Sequence, residues 1–242
     1  MLVPKQPPLQ WSVGDDVMQN IAREMQLSET AFVTPAEASG QFQFSTRFLL
    51  RWFTPTKEVD LCGHGTLASA AALAIECSNN AANLDFETRS GTLTATRHGD
   101  TSEFELDFPA NPPCAVAEGS PEAKSHSEIA QLVIGERYSR AIMGLAYSPT
   151  TKKLVVQMDP ALFGRAELEV LAVPSPDRLL AVEQRGSCPV TGVMVTVASE
   201  HKEDGYDFLS RYFAPWNGIT EDPVICDLDR LFRMTSNATS PG

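Results

Sequence analysis

One segment, Arg51-Trp-Phe-Thr-Pro-Thr-Lys-Glu-Val-Asp-Leu-Cys-Gly-His-Gly-Thr-Leu-Ala, constrains this chain more than any other. Gln41 to Phe53 is rich in aromatic and β-branched residues and reads as a strand. Pro55 ends it, because proline cannot donate to a sheet ladder. Leu61–Ile75 carries Leu67, Ala68, Ala70, Ala71, Leu73 and Ala74 around most of its circumference, so it predicts a helix buried on nearly all sides. Gly63-His64-Gly65 forms the turn into that helix. A weaker copy, Arg211-Tyr-Phe-Ala-Pro, recurs 160 positions later, and acidic residues follow both: Glu58 and Asp60, then Glu221 and Asp222. Chance could repeat five residues, but the shared context of a strand end and a short acidic loop favours an internal duplication.

The remaining chain reads as many strands and few helices. Residues 15–26 place Val17, Met18, Ile21, Ala22 and Met25 at helical spacing behind Asp15 and Asp16, an amphipathic helix with acid at its positive end. Ser28–Val33 is short and β-prone, and Leu84–Thr88, Gly91–Arg97 and Phe104–Phe108 read as strands. Asn111-Pro-Pro-Cys and the polar run Glu118–Ser127 read as a linker. A helix near 127–135 follows, then strands at Arg140–Tyr147, Leu154–Met158, Leu179–Glu183, Gly192–Ala198 and Tyr206–Phe213. This is an α+β rhythm rather than strict alternation. The expected domains are a first half at 1–112 around a central helix at 62–76, a second half at 113–224, and a divergent, disordered tail at 225–242.

A formal charge of −12 argues against nucleic acid or an anionic membrane as partner, since both demand basic patches. Five scattered cysteines, Cys62, Cys77, Cys114, Cys188 and Cys226, read as reduced thiols. Pro4, Pro7 and Pro8 break up the start, so no signal peptide is expected, and no apolar run reaches transmembrane length. A soluble, cytoplasmic protein is the expectation.

The candidate chemistry gathers on few residues. His64 opens the apolar helix, where unsatisfied N–H donors and partial positive charge suit a carboxylate or an enolate-like oxygen. Gly63 and Gly65 let a ligand approach the backbone, with Thr66 completing this substrate-binding turn. The same glycines serve equally to make a tight turn, with His64 bonded to a local carbonyl. Glu29 lies between the amphipathic helix and a β-prone segment. In apolar surroundings a carboxylate becomes a general acid and base near neutrality, whereas a capping or exposed glutamate is the plainer alternative. Asp222, before Pro223, occupies the second copy's turn, where aspartate is a common turn starter. Cys62 invites a thiol reading, and a pseudo-symmetric two-cysteine racemase would need a second thiol. The plain repeat offset puts Asp222 opposite Cys62; a short loop insertion puts Ile225 or Cys226 there. No further ligand pair beside Cys62 and His64 shows zinc spacing, so no metal site is expected. No P-loop or Rossmann fingerprint is present, and no cofactor is expected. Together the residues point to a cofactor-free carbon acid/base enzyme.

Leu27-Ser-Glu-Thr-Ala-Phe, Arg51-Trp-Phe-Thr-Pro, Glu58-Val-Asp-Leu-Cys-Gly-His-Gly-Thr-Leu-Ala-Ser-Ala and Arg211-Tyr-Phe-Ala-Pro-Trp…Glu221-Asp-Pro-Val resemble the phenazine-biosynthesis PhzF family, and most of all its animal phenazine biosynthesis-like members. The resemblance runs in order from Asp16 to Val224. It implies a diaminopimelate-epimerase-like fold of two α+β halves, each a curled sheet around a central helix, with the active site in the cleft between them. It implies isomerisation of a small carboxylic acid, with Glu29 shuttling a proton between carbons while His64 and Asp222 assist and orient the substrate. It also implies a homodimer.

Two departures from the family pattern accompany it. The chain starts just inside the family's opening strand, and Ile225-Cys-Asp-Leu-Asp replaces the segment that opens a second central helix. A truncated or alternatively spliced form with a loosened second half is the expectation. Two functions follow: an isomerase, or an inactive relative that binds a protein partner through exposed apolar surface.

Overall fold

The computed structural model describes residues 13–37, 40–99, 103–107, 111–172, 175–183, 189–199 and 206–222. The chain divides into two units, Met1–Pro109 and Ala110–Gly242. In the first unit, helix α1 (Asp15–Met25) precedes strands β1 (Thr30–Pro35), β2 (Arg47–Phe53) and β3 (Glu58–Val59). Helix α2 (Gly63–Ile75) follows, then strands β4 (Asn83–Thr88), β5 (Gly91–Arg97) and β6 (Phe104–Leu106). The six strands form one sheet in the order β1-β2-β4-β5-β6, with β3 also paired to β2. β2 and β4 run parallel, which demands a crossover, and α2 lies within that connection.

Alternation along β2 assigns its two faces. Phe48, Leu50 and Trp52 join Ala70 and Leu73 of α2 with Leu84, Phe86, Leu93 and Ala95 in the unit's main core. Phe53 belongs to a separate cluster with Phe32 and with Met18 and Ala22 of α1. The buried face of α2 is Gly63, Gly65, Thr66, Ser69, Ala70 and Leu73, whereas Ala68, Ala72 and Ile75 are exposed. The expected burial on nearly all sides is therefore corrected. An alanine methyl carries little apolar area, so leaving it in water costs little.

In the second unit, β7 (Cys114–Ala115) leads to α3 (Ala123–Ile134), a 3-10 turn (Glu136–Ala141), β8 (Ile142–Ser148) and β9 (Lys153–Met158). Helices α4 (Arg165–Glu169) and α5 (Pro176–Glu183) follow, then β10 (Gly192–Ala198), β11 (Phe208–Ala214), a 3-10 turn (Pro215–Asn217) and β12 (Ile219–Asp222). The sheet runs β12-β11-β10-β9-β8-β7, again with one parallel pair, β9 and β10, joined through helices. Ile129, Val133 and Ile134 of α3 pack with Leu154, Val156, Phe163, Leu179, Val193, Val195 and Phe213.

Two sequence expectations fail here. The polar run Glu118–Ser127 is not all linker, because α3 begins at Ala123 and buries His126. Leu179–Glu183 is not a strand but the end of α5, which Pro176 and Asp177 open. A short apolar run such as Leu179–Val182 does not by itself separate a strand from a buried helix. The short elements β3, β7, β12 and α4 carried no sequence signal that we read.

The duplication is visible in side-chain detail. Arg51 holds Glu58 with two parallel bonds, Nε to Oε1 and Nη2 to Oε2, each 2.7 Å, and stands 5.0 Å over the Phe53 ring. Arg211 holds Glu221 likewise at 2.7 and 2.6 Å, and stands 5.0 Å over Phe213. This fork matches the planar guanidinium to the carboxylate. The partners Glu58, Glu221 and Asp222 sit in strands β3 and β12, not in loops. Glu221 lies 163 residues after Glu58, whereas Arg211 lies 160 after Arg51, so the second hairpin holds three more residues. Trp52 faces Val59 across β2–β3, and Tyr212 faces Asp222 across β11–β12. Asp222 therefore occupies the place of Val59, and the plain offset that set it opposite Cys62 is corrected.

Residues 223–242, with the expected divergent tail and the expected loss of a second central helix, lie outside the described residues, as do Cys188 and Cys226. No described helix is long and apolar enough to cross a membrane.

Candidate active site

Two stretches of the first unit meet at the N-terminus of α2. Thr30 pairs with Phe53, so Glu29 stands at the sheet end from which the chain leaves β2 on its way to α2. Cys62 is the N-cap of α2, in extended conformation, and its Sγ accepts the Gly65 N–H at 3.4 Å in place of the usual capping oxygen. The Thr66 hydroxyl donates to the Cys62 carbonyl at 2.7 Å, and the Ser69 hydroxyl to the Gly65 carbonyl at 2.6 Å. A Cβ at Gly65 would stand 2.8 Å from the Trp52 indole and 3.0 Å from Cys62 Sγ. Glycine at 65 thus makes room for two side chains of its own unit.

Above this turn, His64 Nε2 lies 3.1 Å from Glu29 Oε2, with the two side chains 26% and 10% exposed. Oε2 is buried, yet among the described residues no donor is aligned on it; the imidazole is at ion-pair distance but off the hydrogen-bond axis. Ser28 Oγ lies 3.5 Å from His64 Nε2, and Cys62 Sγ lies 3.7 Å from each ring nitrogen. Burial pushes the Cys62 thiol above its ordinary range; its contact with His64 pulls the other way, and the Glu29 charge adds to the rise. Burial thus favours the neutral thiol at Cys62. The arrangement offers a nearly dry carboxylate beside an imidazole and the positive end of a helix, a set suited to moving a proton to and from carbon.

The structure brings Glu29, His64, Gly63, Gly65 and Thr66 together within the first unit. The last three are buried, and the Thr66 hydroxyl is committed to its own helix. Asp222 belongs to the second unit, where it ends β12 at 9% exposure, in a strand rather than a turn. Sequence reasoning missed Ser28 beside His64 and Trp52 behind Gly65. It also found no third ligand type for Cys62 and His64, because the partner, Glu29, lies 33 residues before Cys62 and arrives through strand pairing. Ser28 could have been found by its adjacency to Glu29.

Residues 8–227 match the family described as phenazine biosynthesis-like protein (PhzC-PhzF). Phenazine biosynthesis-like domain-containing protein 1 of Mus musculus is 41% identical over 218 residues, 89% of this chain and 71% of the relative. An uncharacterized isomerase of Pseudomonas aeruginosa is 35% identical over 219 residues, 90% of this chain and 68% of the relative. A phenazine biosynthesis PhzC/PhzF protein structure from Clostridium difficile is similar at TM-score 0.65 and 27% identity, covering 96% of this chain and 75% of that one. A Pseudomonas aeruginosa protein described as an epimerase shares the fold at TM-score 0.57 and 18% identity, with 87% and 67% covered. The expected α+β, epimerase-like architecture holds.

Proposed function

The chain belongs to the phenazine biosynthesis-like (PhzC-PhzF) family, and on that premise we propose that it is an isomerase moving a proton between carbons of a small carboxylic acid, without a cofactor. One observation carries the reading: Glu29 holds a buried carboxylate oxygen with no aligned donor, 3.1 Å from His64 at the start of α2. Such an oxygen keeps a free lone pair for a substrate proton. Glu29 takes the proton from carbon and becomes a carboxylic acid, while the electron pair spreads into the adjoining unsaturated system. The same proton then returns to a different carbon, so charge and atoms balance.

His64 would hold Glu29 in place and steady the charge as it moves, and the helix N-terminus favours the negative substrate. Asp222 keeps the substrate-orienting role that the family motif assigns to it. Gly63, Gly65 and Thr66 supply the turn that fixes His64. The test is deuterium entry into carbon of small cyclic and amino-acid carboxylates in D₂O, followed by NMR. Exchange that disappears in Glu29→Gln supports the reading. Absence of exchange across that panel, with the protein folded, would favour the inactive, protein-binding alternative.

A further inference from the structure

The cluster at the start of α2 is also a set of metal ligands. Glu29, Cys62 and His64 each offer one ligand atom, and these atoms lie within 4.8 Å of one another. Tetrahedral zinc, with bonds of about 2.3 Å to sulfur and about 2.0–2.1 Å to nitrogen or oxygen, sets its ligand atoms roughly 3.3–3.6 Å apart. The distances here are 3.1 Å from Glu29 Oε2 to His64 Nε2 and 3.7 Å from that nitrogen to Cys62 Sγ. The third pair, Glu29 and Cys62, is within 4.8 Å, so side-chain adjustment has to draw the three ligand atoms around the metal. A second, independent observation points the same way: Glu29, nine-tenths buried, turns an oxygen with no aligned donor into the cluster. His64, at 26% exposure, leaves the cluster an approach from solvent.

We propose that Glu29, Cys62 and His64 bind a thiophilic divalent cation, Zn²⁺ above all, in a Cys-His-carboxylate site that overlaps the carbon acid/base site. Binding releases the Cys62 proton, and the metal's charge offsets the burial that otherwise keeps this thiol neutral. Sulfur and imidazole ligands select Zn²⁺ over Mg²⁺ or Ca²⁺, which take oxygen. A metal on Glu29 occupies the lone pair that carbon chemistry needs, so occupancy switches the site off. Binding itself stands apart from the isomerase reading; only the inhibition rests on it.

The test titrates the chelator-treated full chain with CoCl₂ and then ZnCl₂. Co²⁺ is expected to give a thiolate charge-transfer band and tetrahedral visible bands, both displaced by Zn²⁺. Cys62→Ser is expected to abolish the charge-transfer band, and Glu29→Gln and His64→Asn each to weaken binding by roughly tenfold or more. Zinc X-ray absorption on the unaltered chain, expected to show one sulfur and the remainder nitrogen or oxygen, guards against variants that misfold. A charge-transfer band that survives Cys62→Ser places the metal on another cysteine and overturns the proposal. So does an absorption spectrum without sulfur, or affinity indifferent to Glu29→Gln and His64→Asn. If carbon exchange is never found but the cobalt bands respond as stated, the metal site stands and the isomerase reading falls.

Discussion

At Glu29 the carboxylate owes its surroundings to the fold rather than to its sequence neighbours. Its oxygen is shut off from water beside His64, and the two are brought together at one end of the first sheet. Glu29→Gln keeps the shape and removes the base, so exchange is expected to fall roughly 10²–10⁴-fold, the usual weight of a positioned acid–base group. Glu29→Asp keeps the base but withdraws it by one methylene, and about 10²-fold loss is expected, since a misplacement near 1 Å can cost that much. Rates of deuterium incorporation check both. Cys62 gives a separate test. Burial raises its thiol, whereas Cys114 is exposed. Iodoacetamide at pH 7 should label Cys114 well before Cys62, with Cys62 labelling rising only above its ordinary value of 9.0, followed by peptide mass spectrometry.

The start of α2 depends on close packing against β2. A methyl at Gly65 would meet the Trp52 indole and Cys62 Sγ, both inside ordinary contact distance. Gly65→Ala is expected to destabilise the first unit by about 1–3 kcal/mol through overpacking, read from urea unfolding. The Arg51–Glu58 fork pins β2 to β3 just before that turn, with the side chains 14% and 9% exposed. Removing one partner strands a largely buried charge. Arg51→Met should therefore cost about 3 kcal/mol, the low end for such a loss, because Arg89 still reaches Glu58 at 2.6 Å. Arg51→Lys should recover only part of it, since an ammonium cannot form the fork. An Arg51→Met variant as stable as the parent in urea would show that the fork is an accessory of the duplication and not a support of it.

Over the whole chain, the two units carry separate cores, and the second buries a titratable group. In the second, His126 is 1% exposed, lies with its ring centroid 4.6 Å from that of Tyr147 at a tilt of 33°, and has no hydrogen-bond partner on either nitrogen among the described residues. Burial lowers its pKa, with the Glu122 charge pulling slightly upward. In the unfolded chain the imidazole takes a proton as pH falls through about 6.5; in the folded chain it resists until the lower value is reached. The unfolded state then binds more protons, so stability is full above that window and declines as pH falls through it. The urea unfolding midpoint should fall as pH is lowered through about 6.5, and His126→Phe should flatten that dependence.

The sequence alone determined what neighbouring residues decide. The helix within Leu61–Ile75, its opening at Gly63 and Gly65, most strands and the Arg-aromatic-Phe-small-Pro repeat are all contained within short windows. Only the tertiary structure decided that Leu179–Glu183 is helical and that Asp222 holds in β12 the place that Val59 holds in β3. It alone set Glu29 against His64 and Cys62. Local propensity and side-chain periodicity reach a few residues along the chain, whereas strand register and shared burial act between residues tens or hundreds of positions apart.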